Sequence, residues 1–174
     1  MLWLTRDRQN AKLTSGFTLI ELMIVLAIIG IIAVVGVPKF QAIKSQYRLE
    51  ASAQAVIAEL KYAKQLAKDQ RLKTYVVLNT NSVQVMQKEF NGTYQTLDVK
   101  EFDTGVTFIY DPVRDSWMTS LHDLNTNAQL GYGVYYNYQG FVSEFGTILL
   151  NPTSLRQVGV QIAENTGYFS ITWP

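Results

Sequence analysis

The sequence predicts an α+β protein in which a long N-terminal helix packs on a C-terminal antiparallel β-sheet or small β-sandwich, and three observations predict it. Between Phe17 and Val37 only Thr18 and Glu21 interrupt an apolar run, which as a helix would be about 31 Å long, the thickness of a bilayer's hydrocarbon core. From Phe40 to Ala67 apolar residues recur every three to five positions, the spacing of an amphipathic helix. After Lys73 the pattern changes to short β-branched and aromatic runs separated by turn residues, as hairpins require.

Residues 1–16 read as a leader removed from the mature protein. Arg6, Arg8 and Lys12 against Asp7 give it a charge of +2, so a chain of net charge +1 carries −1 over residues 17–174. Positive charge ahead of the span predicts a cytoplasmic leader and an exported C-terminal part. A conventional signal peptide fits poorly, because its apolar core would be longer than the usual stretch of about 7 to 15 residues and would contain an acid. A plain signal anchor whose Glu21 reaches back to the headgroups is the simpler alternative.

Glu21 is the informative departure, since a lone acid carried toward the bilayer centre costs up to about 3 kcal/mol and calls for compensation. Gly16-Phe17-Thr18-Leu19-Ile20-Glu21 followed by an apolar run to Pro38 resembles the prepilins, the precursors of type IV pilins and of type II secretion pseudopilins. The resemblance implies a type IV pilin-like fold and cleavage by a prepilin peptidase between Gly16 and Phe17. It also implies N-methylation of Phe17 and pairing of Glu21 with the free amine at Phe17 of a neighbouring subunit. Opposite charges then meet in low dielectric, which supplies the compensation.

The helix is expected to continue past Pro38, tolerated with a kink, to about Arg71. The division is therefore a leader at 1–16, a helix at 17–72 (membrane-spanning at 17–37, amphipathic at 39–72) and a β-rich exported domain at 73–174. Phe40, Ile43, Tyr47, Ala51, Val56 or Ile57, Leu60, Ala63 and Ala67 form the apolar stripe expected to cover the sheet, with Lys44, Arg48, Glu59, Lys61, Lys64 and Lys68 mostly elsewhere. Gly30, Gly36 and Pro38 each weaken a helix by about 1 to 3 kcal/mol, and the resemblance makes them the segment that loosens when subunits pack into a filament.

Strands are expected at 74–78, 82–86, 93–97, 106–110, 133–136, 146–150, 158–162 and 168–172. The turns between them fall at Asn79-Thr80-Asn81, Asn91-Gly92, Asn137-Tyr138-Gln139-Gly140 and Asn165-Thr166-Gly167. The Ala-rich helix end, the immediate strand after it and the closing Val158-Gly159-Val160-Gln161-Ile162 are similar to the GspH/FimT group of minor pilins and pseudopilins. Some FimT-like members bind DNA through arginines after the terminal glycine. Here Gly167 to Pro174 holds no Arg or Lys, which argues against nucleic acid as a partner.

The remaining chemistry is sparse. With no cysteine there is neither a disulfide nor a thiol-ligated metal. Asp103-Thr104-Gly105 matches the aspartic protease tripeptide but is also ordinary turn sequence. Ser120, His122 and Asp123 lie too close in sequence for triad geometry and are expected in a solvated loop. Asp111, Asp115 and Asp123 are candidate Ca2+ ligands, as some pseudopilins use, without the alternation or glycine of an EF-hand loop. Tyr132, Tyr135, Tyr136, Tyr138 and Phe141 form an aromatic cluster, and Asn91-Gly92-Thr93 reads as a hairpin turn rather than a glycan site.

The expected function is that of a non-enzymatic filament subunit without cofactor, a minor pilin or pseudopilin. Its partners would be other pilins, the prepilin peptidase, the inner membrane and secretion cargo. It would cross the inner membrane once, with a periplasmic C-terminal domain, and later join a filament in the periplasm or at the cell surface. The alternatives are a DNA-binding subunit of a DNA-uptake pilus and a membrane-tethered periplasmic hydrolase.

Overall fold

The structure, a computed structural model, describes residues 16–89, 91–122, 129–151, 156–163 and 168–173, with the backbone alone described at 35, 37, 38 and 42. It divides into two compact units, Met1–Ala42 and Ile43–Pro174. The helix α1 (Leu19–Gln70) starts in the first unit, and its backbone stays helical through Gly30, Gly36 and Pro38. In that unit the large apolar side chains stand open, from 46 % exposure at Val25 to 82 % at Phe17.

The second unit contains the rest of α1 and eight strands among its described residues. These are β1 (Thr74–Asn79), β2 (Ser82–Lys88), β3 (Tyr94–Glu101), β4 (Thr119–His122), β5 (Gln129–Tyr136), β6 (Gly146–Leu150), β7 (Val158–Ile162) and β8 (Phe169–Thr172). They form a five-stranded sheet in the order β3-β2-β1-β5-β4 and a three-stranded sheet in the order β6-β7-β8, with every pairing antiparallel. The expected turns hold β1 to β2, where Asn79 opposes Ser82, and β2 to β3, where Gly92 takes φ of 91°. Asn137 closes the turn after β5, its Oδ1 accepting the N–H groups of Gln139 and Phe141 at 3.0 Å each. The turn expected at Asn165-Thr166-Gly167 lies outside the described residues.

Both sheets and the helix share one core. Leu49, Ala53, Val56, Leu60, Ala63 and Ala67 of α1, alternately four and three apart, are at most 2 % exposed and cluster with Val76, Val85, Tyr136, Ile148, Val160 and Ile162, among others. Alanine at three of these positions lets the helix approach the sheet closely, and each large aliphatic side chain buried there contributes about 2 kcal/mol. The expected stripe is correct from Val56 onward and wrong before it. Phe40, Ile43 and Tyr47 are 70 %, 52 % and 68 % exposed, and Leu49 and Ala53 bury in place of Tyr47 and Ala51. Apolar residues mark two faces of this part of the helix, and only the partner sheet chooses between them.

Two strand assignments change for a similar reason. Residues 106–110 make a single bridge, Phe108 to Leu150, because the segment's backbone groups are satisfied individually. Phe108 N–H donates to Thr80 O and Asn151 N–H to Thr107 O, each at 2.8 Å, while Thr107 N–H donates to Asn151 Oδ1 at 2.7 Å. Conversely, the loop expected around Ser120 and His122 is β4, an edge strand whose only buried side chain is Leu121. Pairing with β5 supplies what its own sequence lacks.

Glu59, expected on the polar side, is 3 % exposed within the helix–sheet core, and its Oε2 has no hydrogen-bond partner among the described residues. Burial, reinforced by Asp98 and opposed by Lys100, pushes its carboxyl above the ordinary range. A raised folded pKa means that Glu59 supports the fold fully below its unfolded pKa and loses that support as pH rises through the folded value. Thermal unfolding between pH 4 and pH 8 or so should therefore fall less steeply in Glu59→Gln than in the natural protein. Parallel curves would show that Glu59 does not titrate with folding.

Candidate functional site

Gly16, Phe17 and Thr18 precede the helix, and Phe17 is 82 % exposed. Among the described residues no heavy atom would meet a Cβ at Gly16 within 4 Å. Thr18 is the N-cap, with its Oγ1 accepting the N–H of Glu21 at 3.2 Å and its carbonyl the N–H of Leu22 at 3.2 Å. Thr18-Leu19-Ile20-Glu21 thus has the spacing of a capping box, and Glu21 sits in the first turn, where the helix dipole favours an acid. The capping role of Thr18 was readable from a Thr three residues before a Glu at the head of an apolar run, and the functional reading of Glu21 obscured it.

The helical turns from Leu19 to Val34 present apolar side chains on every side. In water such a surface is unfavourable by about 25 cal/mol per Å², so lipid or other apolar helices suit it. Among the described residues no single helix is long and apolar enough to cross a membrane, while Leu19–Val34 and Lys39–Gln70 taken together as a bent pair pass by length and composition. No heavy atom approaches Gly30 or Gly36 within 4 Å of a built Cβ, and with Pro38 they lie in continuous helical backbone here.

The candidate chemical groups of the second unit are mostly absorbed by structure. Asp103-Thr104-Gly105 is a turn, with Val106 N–H donating to Asp103 O at 2.9 Å and Gly105 at φ of 87°. Asp103 N–H donates to Ser52 Oγ at 3.0 Å, and Arg48 Nη1 donates to Thr104 O at 3.3 Å. Ser120 and His122 are two residues apart on β4 with exposed side chains, and Asp123 lies outside the described residues.

Asp111 and Asp115 come together, and three of their four carboxylate oxygens already accept hydrogen bonds. Asp111 Oδ1 accepts the N–H groups of Val113 at 2.8 Å and Arg114 at 3.0 Å, which hold its carboxyl below the ordinary range. Asp115, fully buried, accepts from the Arg114 guanidinium and from Asp111 N–H. Among the described residues no group of three or more His, Cys, Asp or Glu could hold a metal ion.

The aromatic cluster divides between the two faces of β5. Tyr132 stacks on Tyr110 with centroids 3.4 Å apart, while Tyr136 is buried in the main core, its hydroxyl without a partner among the described residues. Tyr135 lies on the opposite face against Tyr75 at 5.5 Å, and Tyr138 and Phe141 are exposed beyond the strand.

Comparison with known proteins agrees with the N-terminal geometry. The family described as the prokaryotic N-terminal methylation motif matches residues 12–37. Two fimbrial proteins of Pseudomonas aeruginosa are each 33 % identical over 86 residues, 49 % of this chain and 53 % of theirs. The chain therefore spans about half the length of these curated relatives. The structure of the minor pseudopilin EpsH from the type 2 secretion system of Vibrio cholerae superposes with a TM-score of 0.51 at 13 % identity, covering 73 % of this chain and 98 % of that one. At that identity the likeness is one of fold.

Proposed function

From a chain that is type IV prepilin-like in its N-terminal motif and pilin-like in its α+β fold, we propose a non-enzymatic minor pilin or pseudopilin of a type II secretion pseudopilus or type IV pilus. The observation that carries the proposal is the helix start: a capped first turn bearing Glu21, opened by an exposed Gly16-Phe17 link and followed by apolar turns uncovered from Leu19 to Val34. A prepilin peptidase cuts after Gly16 at the cytoplasmic face and methylates Phe17. Residues 17–37 wait in the inner membrane and then bundle with equivalent helices of other subunits, where Glu21 meets a neighbour's Phe17 amine. The β-rich part faces the periplasm and contacts other subunits or cargo. Gly30, Gly36 and Pro38 supply the turns that loosen on packing, because each lowers helix stability.

Glu21 serves both as the third helical residue of a cap and as a charge, and two substitutions separate these roles. Glu21→Gln retains the capping geometry, since either residue closes the box, and removes the charge; it is expected to abolish filament incorporation while membrane insertion and trimming continue. Thr18→Ala removes the cap at a cost of about 1 kcal/mol and is expected to assemble. Incorporation is read from sheared or affinity-captured filaments, and trimming from the N-terminal mass. Wild-type incorporation of Glu21→Gln would remove the acid from the assembly step.

A further inference from the structure

A cavity of about 630 Å³ opens where the link between α1 and β1 meets the β2–β3 hairpin, lined by Leu72, Lys73, Tyr75, Lys88, Asn91 and Gln95, among others. Its size suits a small organic ligand. We propose that it is a binding site for an acidic saccharide, a sugar carrying a carboxylate or phosphate, unrelated to the N-terminal assembly surface.

Two cations are held at this cavity by aromatic rings rather than by acids. Lys73 Nζ lies 5.1 Å from the Tyr135 ring centroid and Lys88 Nζ 5.8 Å from that of Tyr94. Neither lysine forms an ion pair among the described residues, so both charges remain available to an anion. Glu89, the acid at the rim, is turned to the hairpin through Oε2, which accepts from Asn91 Nδ2 at 2.9 Å and Thr93 Oγ1 at 3.2 Å, so two lysines against one carboxylate leave the lining with a net positive charge.

The rest of the lining selects the body of the ligand. Tyr75, held edge-on to Tyr94 with centroids 5.2 Å apart, and Leu72 provide an apolar wall for the C–H face of a sugar ring. Its hydroxyl, pushed up to about 12 by burial and by the neighbouring tyrosines, stays neutral. The Gln95 amide can donate to and accept from ring hydroxyls, while Asn91 Oδ1 is taken by Thr93 N–H and Oγ1–H and only the second Nδ2–H of Asn91 remains to donate. An acidic peptide adding as a strand is disfavoured, because β1 and β2 are paired on both sides. A nucleic acid strand needs a track of cations along its backbone, whereas two lysines line this cavity.

The test uses full-length protein in detergent at about 50 mM salt, where a charge-assisted contact is little screened, titrated calorimetrically. The probes are a uronic acid disaccharide, a hexose phosphate, the uncharged counterpart of the disaccharide, and acetate and inorganic phosphate alone. Binding of the uronate, the sugar phosphate or both is expected at least about tenfold tighter than that of the neutral sugar or the bare anions, and the pair of results identifies the anion. Lys73→Gln/Lys88→Gln should weaken it by at least about tenfold with an unchanged circular dichroism spectrum and Tm. The proposal is overturned if neither acidic sugar binds, if the neutral sugar or bare anions bind equally well, or if the double variant binds unchanged.

Discussion

Gly133→Ala is expected to cost the β-rich unit about 3 kcal/mol or more. A Cβ at this position would overlap the Val76 carbonyl oxygen and lie 2.8 Å from Val76 C and 3.0 Å from Val77 Cα. These are backbone atoms of the adjacent strand, so no rotamer change relieves the contact. Relief requires β1 and β5 to separate where Thr74–Leu78 pair with Tyr132–Tyr136, and β4 holds β5 on its other side. Thermal or urea unfolding followed by far-UV circular dichroism should show the loss, together with a lower level of protein in cells. A variant within about 0.5 kcal/mol of the natural protein would mean that the two strands can part at little cost.

Arg114→Ala carries the second large effect, about 3 kcal/mol, because it strands a charge inside the protein. Asp115 is fully buried, whereas the Arg114 side chain is 31 % exposed. Arg114 Nε donates to Asp115 Oδ1 at 2.7 Å, and Arg114 Nη2 donates to Asp115 Oδ2 and, at 2.7 Å, to Ile109 O. Asp111 N–H donates to the same carboxylate at 2.9 Å, while Asp115 N–H donates back to Asp111 O at 2.8 Å. The side-chain pair thus pins the connection from Ile109 to Met118, whose Trp117 ring lies against Gly146. Arg114→Lys should recover little, since an ammonium cannot reproduce the planar fork. Arg114→Ala/Asp115→Ala should recover part of the loss, because removing both partners leaves no bare charge. The comparison is read from unfolding midpoints and from the tryptophan fluorescence change, to which Trp117 contributes alongside Trp3 and Trp173. Equal stabilities of Arg114→Ala and the double variant would show that the buried charge is not what costs.

The head of α1 and the apolar turns that follow it were the most legible part of the described chain because their signals are local. A six-residue motif around Phe17, basic residues before it and an apolar run after it read the same in any tertiary context. The hairpin turns at Asn79-Thr80-Asn81 and Asn91-Gly92 were legible for the same reason, as left-handed or tight backbone must be written into residue type. Strand content at 106–110 and 119–122 was not, since Val106-Thr107-Phe108-Ile109-Tyr110 has strong β propensity but meets the β6 edge in a single bridge at Leu150, whereas Thr119-Ser120-Leu121-His122 is paired along its length with β5. Pocket-forming residues such as Lys73 and Lys88 are fifteen positions apart and carry no motif; the hairpin alone brings them together.

By itself the sequence determined a long helix with an acid near its head, the places where the chain reverses, and the absence of cysteine, because each depends on residue type and near neighbours. The tertiary structure decided which face of the helix is covered from Leu49 to Ala67, where Glu59 is buried, which runs become ladder strands, and that Asp115 is matched by Arg114. Those outcomes depend on what the sheets present to the helix and to one another, and contacts between residues tens of positions apart leave no mark in the local order of amino acids.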